Sequence, residues 1–357
     1  MTSARSTARP RKPARRSPRR APAAPELPRI VCIGGGSGPS LLVKTLPECL
    51  ERLVAVVTVT DSGSSTGIIR SNFGIAAPGD IRATLSVMGR LSGGDEILPR
   101  LMEYRFQPQE AGQLSNMAVG NLLLAAVCKL TGDFKTAIAT LARILDVRGR
   151  VLPVSICNTD LAAELEDGTI VTGEVEVRRC GKPPIRRLFL TDGDACADAE
   201  VETAIRRADF VFIGPGNLYT SLLACLVFPG MAQALSECRG TRIFIANTTT
   251  APGQTDGYSL ADHLAAVLAY VPPGALDLVV LNNEQPSKAR SARHAEHDVH
   301  FLPLTPDDLA RIERLGVKTI TAPLLEPEGE FRKLHKLDTM RHDPGKLRAV
   351  LRSAVGL

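Results

Sequence analysis

Tryptophan is missing altogether from this chain, and aromatic residues make up only 4% of it. A core built here must rest on aliphatic packing, so each of the four tyrosines needs a reason to be where it is. Long hydrophobic runs are missing too. No stretch reaches the roughly 18 uninterrupted apolar residues of a membrane span, and the N-terminus carries no apolar signal core. A cytoplasmic protein with no membrane span is expected. The eight cysteines include no C-x-x-C pair; Cys32, Cys49, Cys128, Cys157, Cys180, Cys196, Cys225 and Cys238 are scattered, mostly through apolar segments. That spacing matches no zinc or redox signature and reads as buried free thiols. There is no G-x-x-x-x-G-K-[ST] phosphate loop, which disfavours a P-loop hydrolase. No G-x-S-x-G nucleophile elbow is expected, and no histidine is embedded in a glycine loop as a general base.

What is present divides unevenly. Residues 1–28 crowd arginine and lysine among proline and alanine against a single glutamate, so the formal charge of +5 belongs to this tail and the remainder is slightly acidic. A segment of that composition cannot bury enough apolar surface to fold and is expected to be disordered. Contact with nucleic acid is expected only through it, if at all. Residues 29–357, within a chain that is 44% hydrophobic, suffice for one large domain.

From residue 29 the chain alternates short aliphatic runs with helical stretches. "RIVCIG", "LVAVVTVTD", "ADFVFIG", "TRIFIAN" and "LDLVVLN" are continuous β-branched or aliphatic segments, as strands covered on both faces require. Helices are expected over 40–53, 117–132, 133–145, 198–208 and 218–237, with two short amphipathic ones near the end. This β-α rhythm predicts an α/β fold, a doubly wound, mostly parallel sheet with helices on both faces. One segment departs from it: residues 161–179 read as two strands around Asp167-Gly168, a hairpin expected as a flap or edge on the main sheet. His294, His297 and His300 stand three apart, but their polar surroundings favour a solvated loop over a metal site, and no metal site is assigned.

The chemistry gathers where strands should end, the usual ligand-binding edge of a doubly wound sheet. The first loop holds Gly34, Gly35, Gly36, Ser37 and Gly38, where backbone N–H groups and a helix start can meet a phosphate. The second, residues 58–85, is read as a long Gly/Ser/Thr-dense binding connection. In it Asp61 is placed for a hydroxyl or a metal, Ser62, Ser64, Ser65 and Thr66 for phosphate or sugar oxygens, Asp80 as either an N-cap or a ligand, and Arg82 for an anion. The third carries Gly214, Gly216, Asn217 and Tyr219; the fourth, residues 245–264, carries Asn247 and Tyr258. Asp61 and Asp80 are the only catalytic candidates, and binding is better supported than chemistry.

Eight ordered segments, "GGGSGPSLL", "VTVTDSGSSTG", "FGIAAPGDIR", "GNLLLAA" (which supplies Asn121), "ELEDGTIVTGE", "GPGNLYTSLL", "NTTTAPGQTDGYSLADH" and "RHDPGKL", together resemble the gluconeogenesis factor family. That family is related to the phospholactate transferases of deazaflavin-cofactor synthesis. The resemblance implies a Rossmann-like sheet, binding of UDP-sugars such as UDP-N-acetylglucosamine, and an influence on carbon partitioning, cell shape and wall precursors. It implies no required cofactor, a homodimer and a protein partner it does not name. Gly35, Gly36, Ser37 and Gly38 would line the nucleotide site, with Asn217 and Tyr258 on the ligand and Arg341 of "RHD" on its phosphates. Three positions depart from the family pattern: Ser62 stands where a second aspartate is common, Met117 where a histidine is usual, and Pro344 where some members carry a threonine. The alternative is a transferase moving a phospho-group from a nucleotide-activated donor to an acceptor alcohol, the only case in which Mg²⁺ is expected. A nicotinamide-dependent oxidoreductase has no catalytic pair to support it.

Overall fold

The computed structural model describes residues 27–107, 112–328 and 340–356; nearly all of the basic tail lies outside them. The strands are β1 (Ile30–Gly34), β2 (Leu53–Val57), β3 (Arg150–Pro153), β4 (Leu161–Leu165), β5 (Ile170–Thr172), β6 (Ile185–Leu190), β7 (Phe210–Ile213), β8 (Thr241–Ile245), β9 (Leu278–Asn282) and β10 (Lys318–Ala322). Seven of them form one sheet in the order β10-β9-β8-β7-β1-β2-β3, parallel throughout. Helices cover both faces, so the central strand, Ile-Val-Cys-Ile-Gly, is buried at every position. The edge strand β10, Lys-Thr-Ile-Thr-Ala, is mostly exposed, and its lysine and threonines suit an unpaired border. Without tryptophan, the largest fully buried side chains are Phe212, Phe228 and Phe244 among Ile and Leu.

Strand order sets the position of the ligand edge. From β1 the chain moves outward through β2 to β3, and it later returns as β7 on the other side of β1. Ile30 is thus in register with Leu53 on one flank and Phe210 on the other. The chain leaves β1 toward β2 and β7 toward β8, so the switch point, where a doubly wound sheet usually takes its ligand, lies above their carboxyl ends.

Local chemistry explains where expected elements moved. The helix expected over 40–53 is α1 (Ser37–Thr45) followed by a separate turn at Pro47–Arg52, because Pro47 lacks an N–H and restricts the residue before it. The expected helix over 218–237 is broken at Gly230, whose φ is +100°. The supposed long loop after β2 holds α2 (Ser64–Phe73), closed by left-handed Gly74, and α3 (Gly79–Leu91). Asp80 lies in the first turn of α3, while Pro78 is its N-cap.

The hairpin also moves. β4 and β5 pair antiparallel around Asp167-Gly168, but they join β6 in a separate three-stranded sheet, order β5-β4-β6, rather than bordering the main one. After Gly173 the chain forms a short helix, Glu174–Val177. Further corrections concern cysteine and histidine. Five cysteines are buried, but Cys180 and Cys196 are exposed. His294 is buried inside the helix Lys288–Ala295 with Nδ1 on the Arg290 carbonyl, whereas His297 and His300 are exposed beyond its end. Among the described residues no single helix is long and apolar enough to cross a membrane.

The last helix, Pro344–Val355, starts at the rim and runs down beside α1. Lys346 Nζ donates to Glu284 Oε2 at 2.7 Å near its start, and Arg352 donates to Glu48 Oε1 at 2.7 Å near its end.

Candidate functional site

At the rim, glycine is required by protein atoms before any ligand is considered. A Cβ on Gly35 would lie 2.5 Å from Ser221 Oγ and 2.7 Å from Asp80 Oδ2, and one on Gly36 would lie 3.0 Å from Asp80 Oδ1. A Cβ on Gly38 would overlap the Pro215 carbonyl. The first loop is thus wedged between the start of α3 and the third loop, with the Asp80 carboxylate against it. Ser37 is exposed at the start of α1, where main-chain N–H groups lack helical acceptors.

The second loop is shaped by its own aspartate. Asp61 Oδ1 accepts from the Gly63 N–H at 2.8 Å, and Ser62 Oγ accepts from the Val175 N–H at 3.4 Å. Ser64 begins α2 with φ of +46°. Behind it, Arg70 is buried and committed: it donates to Asn158 Oδ1, Asp160 Oδ1 at 2.8 Å, the Thr159 carbonyl at 2.9 Å and the Asp61 carbonyl at 3.3 Å. One guanidinium therefore pins the second loop to the chain leaving β3.

The third and fourth loops meet directly. Asn247 Oδ1 accepts from the Gly216 N–H at 3.3 Å, and the Gly214 N–H continues the sheet ladder to Ile33. Asn217 is exposed and its carbonyl starts the π-helical turn Leu218–Leu223. The hydroxyls of Tyr219 and Tyr258 lie 2.6 Å apart. Burial, then the bond to Tyr258, pushes the Tyr219 phenol up from its ordinary range, so it stays protonated. Half-buried Tyr258 meets the ring of His263 edge-on at 5.6 Å. Arg341 is exposed beside this end of the sheet: neighbouring Met340 accepts from Thr248, and His342 bridges to Leu325.

Some expected ligand residues turn away. Arg82 is buried, donates to the Met102 carbonyl at 3.2 Å and pairs with Glu103 at 3.1 Å, so it is not available to an anion. Ser65 is buried under α2, where its Oγ takes bonds from Asn121 Nδ2 at 3.0 Å and Arg105 at 3.3 Å. Residues 63–67, Gly-Ser-Ser-Thr-Gly, do spell G-x-S-x-G, contrary to the expectation that no such serine is present. Ser65 at its centre has no histidine bonded to it and sits inside a helix, so it is no nucleophile elbow.

The residues missed from sequence come from the small sheet. Glu174 and Arg178 lean over the second loop: a Cβ on Gly63 would lie 3.5 Å from Arg178 Nη2 and 3.8 Å from Glu174 Oε2. Lys182 Nζ donates to the Gly253 carbonyl at 2.5 Å, and burial lowers its pKa. Gly173 ahead of Glu174 was the available signal, since a strand interior seldom keeps a glycine followed by two acids at helix-start spacing.

Asp61, Asp80, Glu174 and Asp256 are carboxylates at the rim, and among the described residues no three His, Cys, Asp or Glu converge as a metal-holding group. A cavity of about 720 Å³ opens elsewhere, between the end of α3 and the helix Ile97–Glu103, lined by Arg90, Glu96, Ile97, Arg100 and Leu101 among others. None of the rim loops lines it.

A doubly wound parallel sheet with glycine loops at its switch point defines a Rossmann-like α/β fold. The family model described as 2-phospho-L-lactate transferase CofD matches residues 30–325, and the chain belongs to that family. It is 37% identical over 318 residues to the gluconeogenesis factor of Halalkalibacterium halodurans, covering 89% of this chain and 94% of that one. Identity with the gluconeogenesis factor of Bacillus subtilis is 33% over 327 residues, 91% of this chain and 97% of the other. The crystal structure of a UPF0052 family member from Bacillus halodurans superposes with a TM-score of 0.80 at 36% identity, covering 90% of this chain and 99% of that one.

Proposed function

We propose that this protein is a gluconeogenesis-factor-type regulator that binds a nucleotide-sugar, of the UDP-N-acetylglucosamine kind, in the crevice above β1 and β7. The observation that carries the reading is the convergence of four loops at the switch point, with Tyr258 half-exposed on one side and Asp61 on the other. The relatives' names support a role in carbon metabolism, and an action on cell-wall precursor supply in the cytoplasm belongs to the same proposal. Gly216, Asn217, Asn247 and Tyr258 border the crevice where a base and sugar would lie, and exposed Arg341 flanks it. Asp80 already lies against Gly35 and Gly36, so these glycines present main chain to a sugar hydroxyl more readily than to a second anion.

Calorimetric titration with UDP-N-acetylglucosamine, beside UDP and NAD, tests this. Saturable binding lost in Tyr258→Ala supports the reading; no heat with either UDP ligand sinks it. The family description favours a transferase as the second reading. Metal-dependent product formation abolished by Asp61→Asn would establish that alternative.

A further inference from the structure

The small antiparallel sheet sits across the rim of the main one, and residues 174–182 form a strap with a foot on each side of the crevice. One foot stands on the second loop, where the Val175 N–H meets Ser62 Oγ and Arg178 leans over Gly63. The other stands on the fourth loop: a Cβ on Gly253 would lie 2.5 Å from the Arg178 carbonyl and 2.7 Å from that of Arg179, and Lys182 Nζ holds the Gly253 carbonyl. Gly253 has φ of +74°, so both its conformation and the strap's approach require glycine there. Between the feet, the short helix Glu174–Val177 packs on the π-helical turn that carries Tyr219.

The strap brings Arg178 to the site in an unusual state among the rim cations. Arg70, Arg82 and Arg105 spend their guanidinium groups on protein acceptors. Among the described residues Arg178 makes a single pair, Nε to Glu174 Oε1 at 3.2 Å, with its side chain 40% exposed. That pair holds the group from behind, and Nη2 lies over Gly63 of the second loop; among the described residues neither terminal nitrogen has a protein hydrogen bond. A planar fork held from behind and open in front matches a phosphate oxyanion.

Resting on the nucleotide-sugar reading, we propose that Arg178 is the specificity-determining contact for the anionic diphosphate of the ligand on the β2 side of the crevice. Exposed Arg341 follows Met340, which Thr248 holds beyond β8, so a diphosphate bound between the two sides would have a guanidinium group on each. Neutral sugars and nucleosides gain nothing from this arrangement, and the strap thereby selects activated sugars over free ones.

The test titrates wild type, Arg178→Gln and Arg178→Lys with inorganic pyrophosphate, UDP-N-acetylglucosamine and uridine, with melting temperatures as a folding control. Arg178→Gln should weaken pyrophosphate and the UDP-sugar about tenfold to a hundredfold, the usual loss of one charge-assisted phosphate contact, and leave uridine unchanged. Arg178→Lys keeps stem and charge but not the fork, so it should recover only part of the affinity; it carries the test if the Gln variant does not fold. Unchanged pyrophosphate and UDP-sugar affinities in Arg178→Gln would overturn the assignment and leave the nucleotide-sugar reading standing. Arg178-dependent pyrophosphate binding without UDP-sugar binding would keep the assignment and overturn that reading. A wild type that binds neither overturns both.

Discussion

His342 gives the fold a measurable weakness toward acid. Its ring is buried and bonded to the Ala246 backbone, and among the described residues Nε2 has no partner. Burial pushes its pKa down to about 4, against about 6.5 in an unfolded chain. Between those values the proton binds the unfolded state more readily. The associated stability is therefore complete above about pH 6.5 and drains away as pH falls toward 4. At about 1.4 kcal/mol per pH unit, the loss reaches about 2 kcal/mol by pH 5. Urea denaturation of wild type and His342→Met at pH 7.5, 6 and 5, at fixed ionic strength, reads the effect as a slope. The variant starts less stable because packing and the bond to Ala246 change. Wild type should nevertheless lose about 2 kcal/mol more than the variant between pH 7.5 and 5. His263, also buried and with its pKa lowered by burial, acts in both proteins and cancels in the difference. Parallel slopes would refute the argument that burial keeps His342 neutral.

Three further outcomes are expected. Arg70→Gln removes the clamp between the second loop and residues 158–160 and should cost ~2–4 kcal/mol in thermal or urea denaturation, whereas Asp160→Asn, at a partner that is 44% exposed, should cost under ~1 kcal/mol; equal losses would show that the ion pair, not the buried guanidinium, matters. Gly38→Ala pushes a methyl into the Pro215 carbonyl and should cost ~1–3 kcal/mol, while a neutral result would mean that the first and third loops separate freely. Tyr219→Phe removes the hydroxyl pair with Tyr258 but keeps the buried ring, so stability should fall by about 1 kcal/mol, and ligand affinity should change less than in Tyr258→Ala.

Legibility from sequence followed burial. β1, β2, β7, β8 and β9 are continuous apolar runs because both faces of each are covered, and all five are read without a structure. Strands β3 and β10 escaped because edge strands carry arginine, lysine and threonine that look like loop. α2 escaped because its serines and glycine suit turns, and only Asp61 closing on Gly63 and left-handed Gly74 mark its limits. The first and third loops were legible through glycine. Their reason was only partly so: Gly35 makes room for Asp80 as well as Ser221, and Gly38 for Pro215, and the Ser221 and Pro215 contacts join residues about 180 positions apart. Arg178 was invisible for a similar cause, since nothing local announces that a hairpin will leave the main sheet and carry a guanidinium across the rim.

The course of the last helix has a practical side. It leaves the rim at Asp343, descends beside α1 and finishes near Glu48, on the same side of the sheet from which β1 rises. The described chain thus begins and finishes on the face opposite the crevice. A fluorophore or surface tether placed at residue 27 or 356 would therefore point away from the four loops and leave that end of the sheet open to solution.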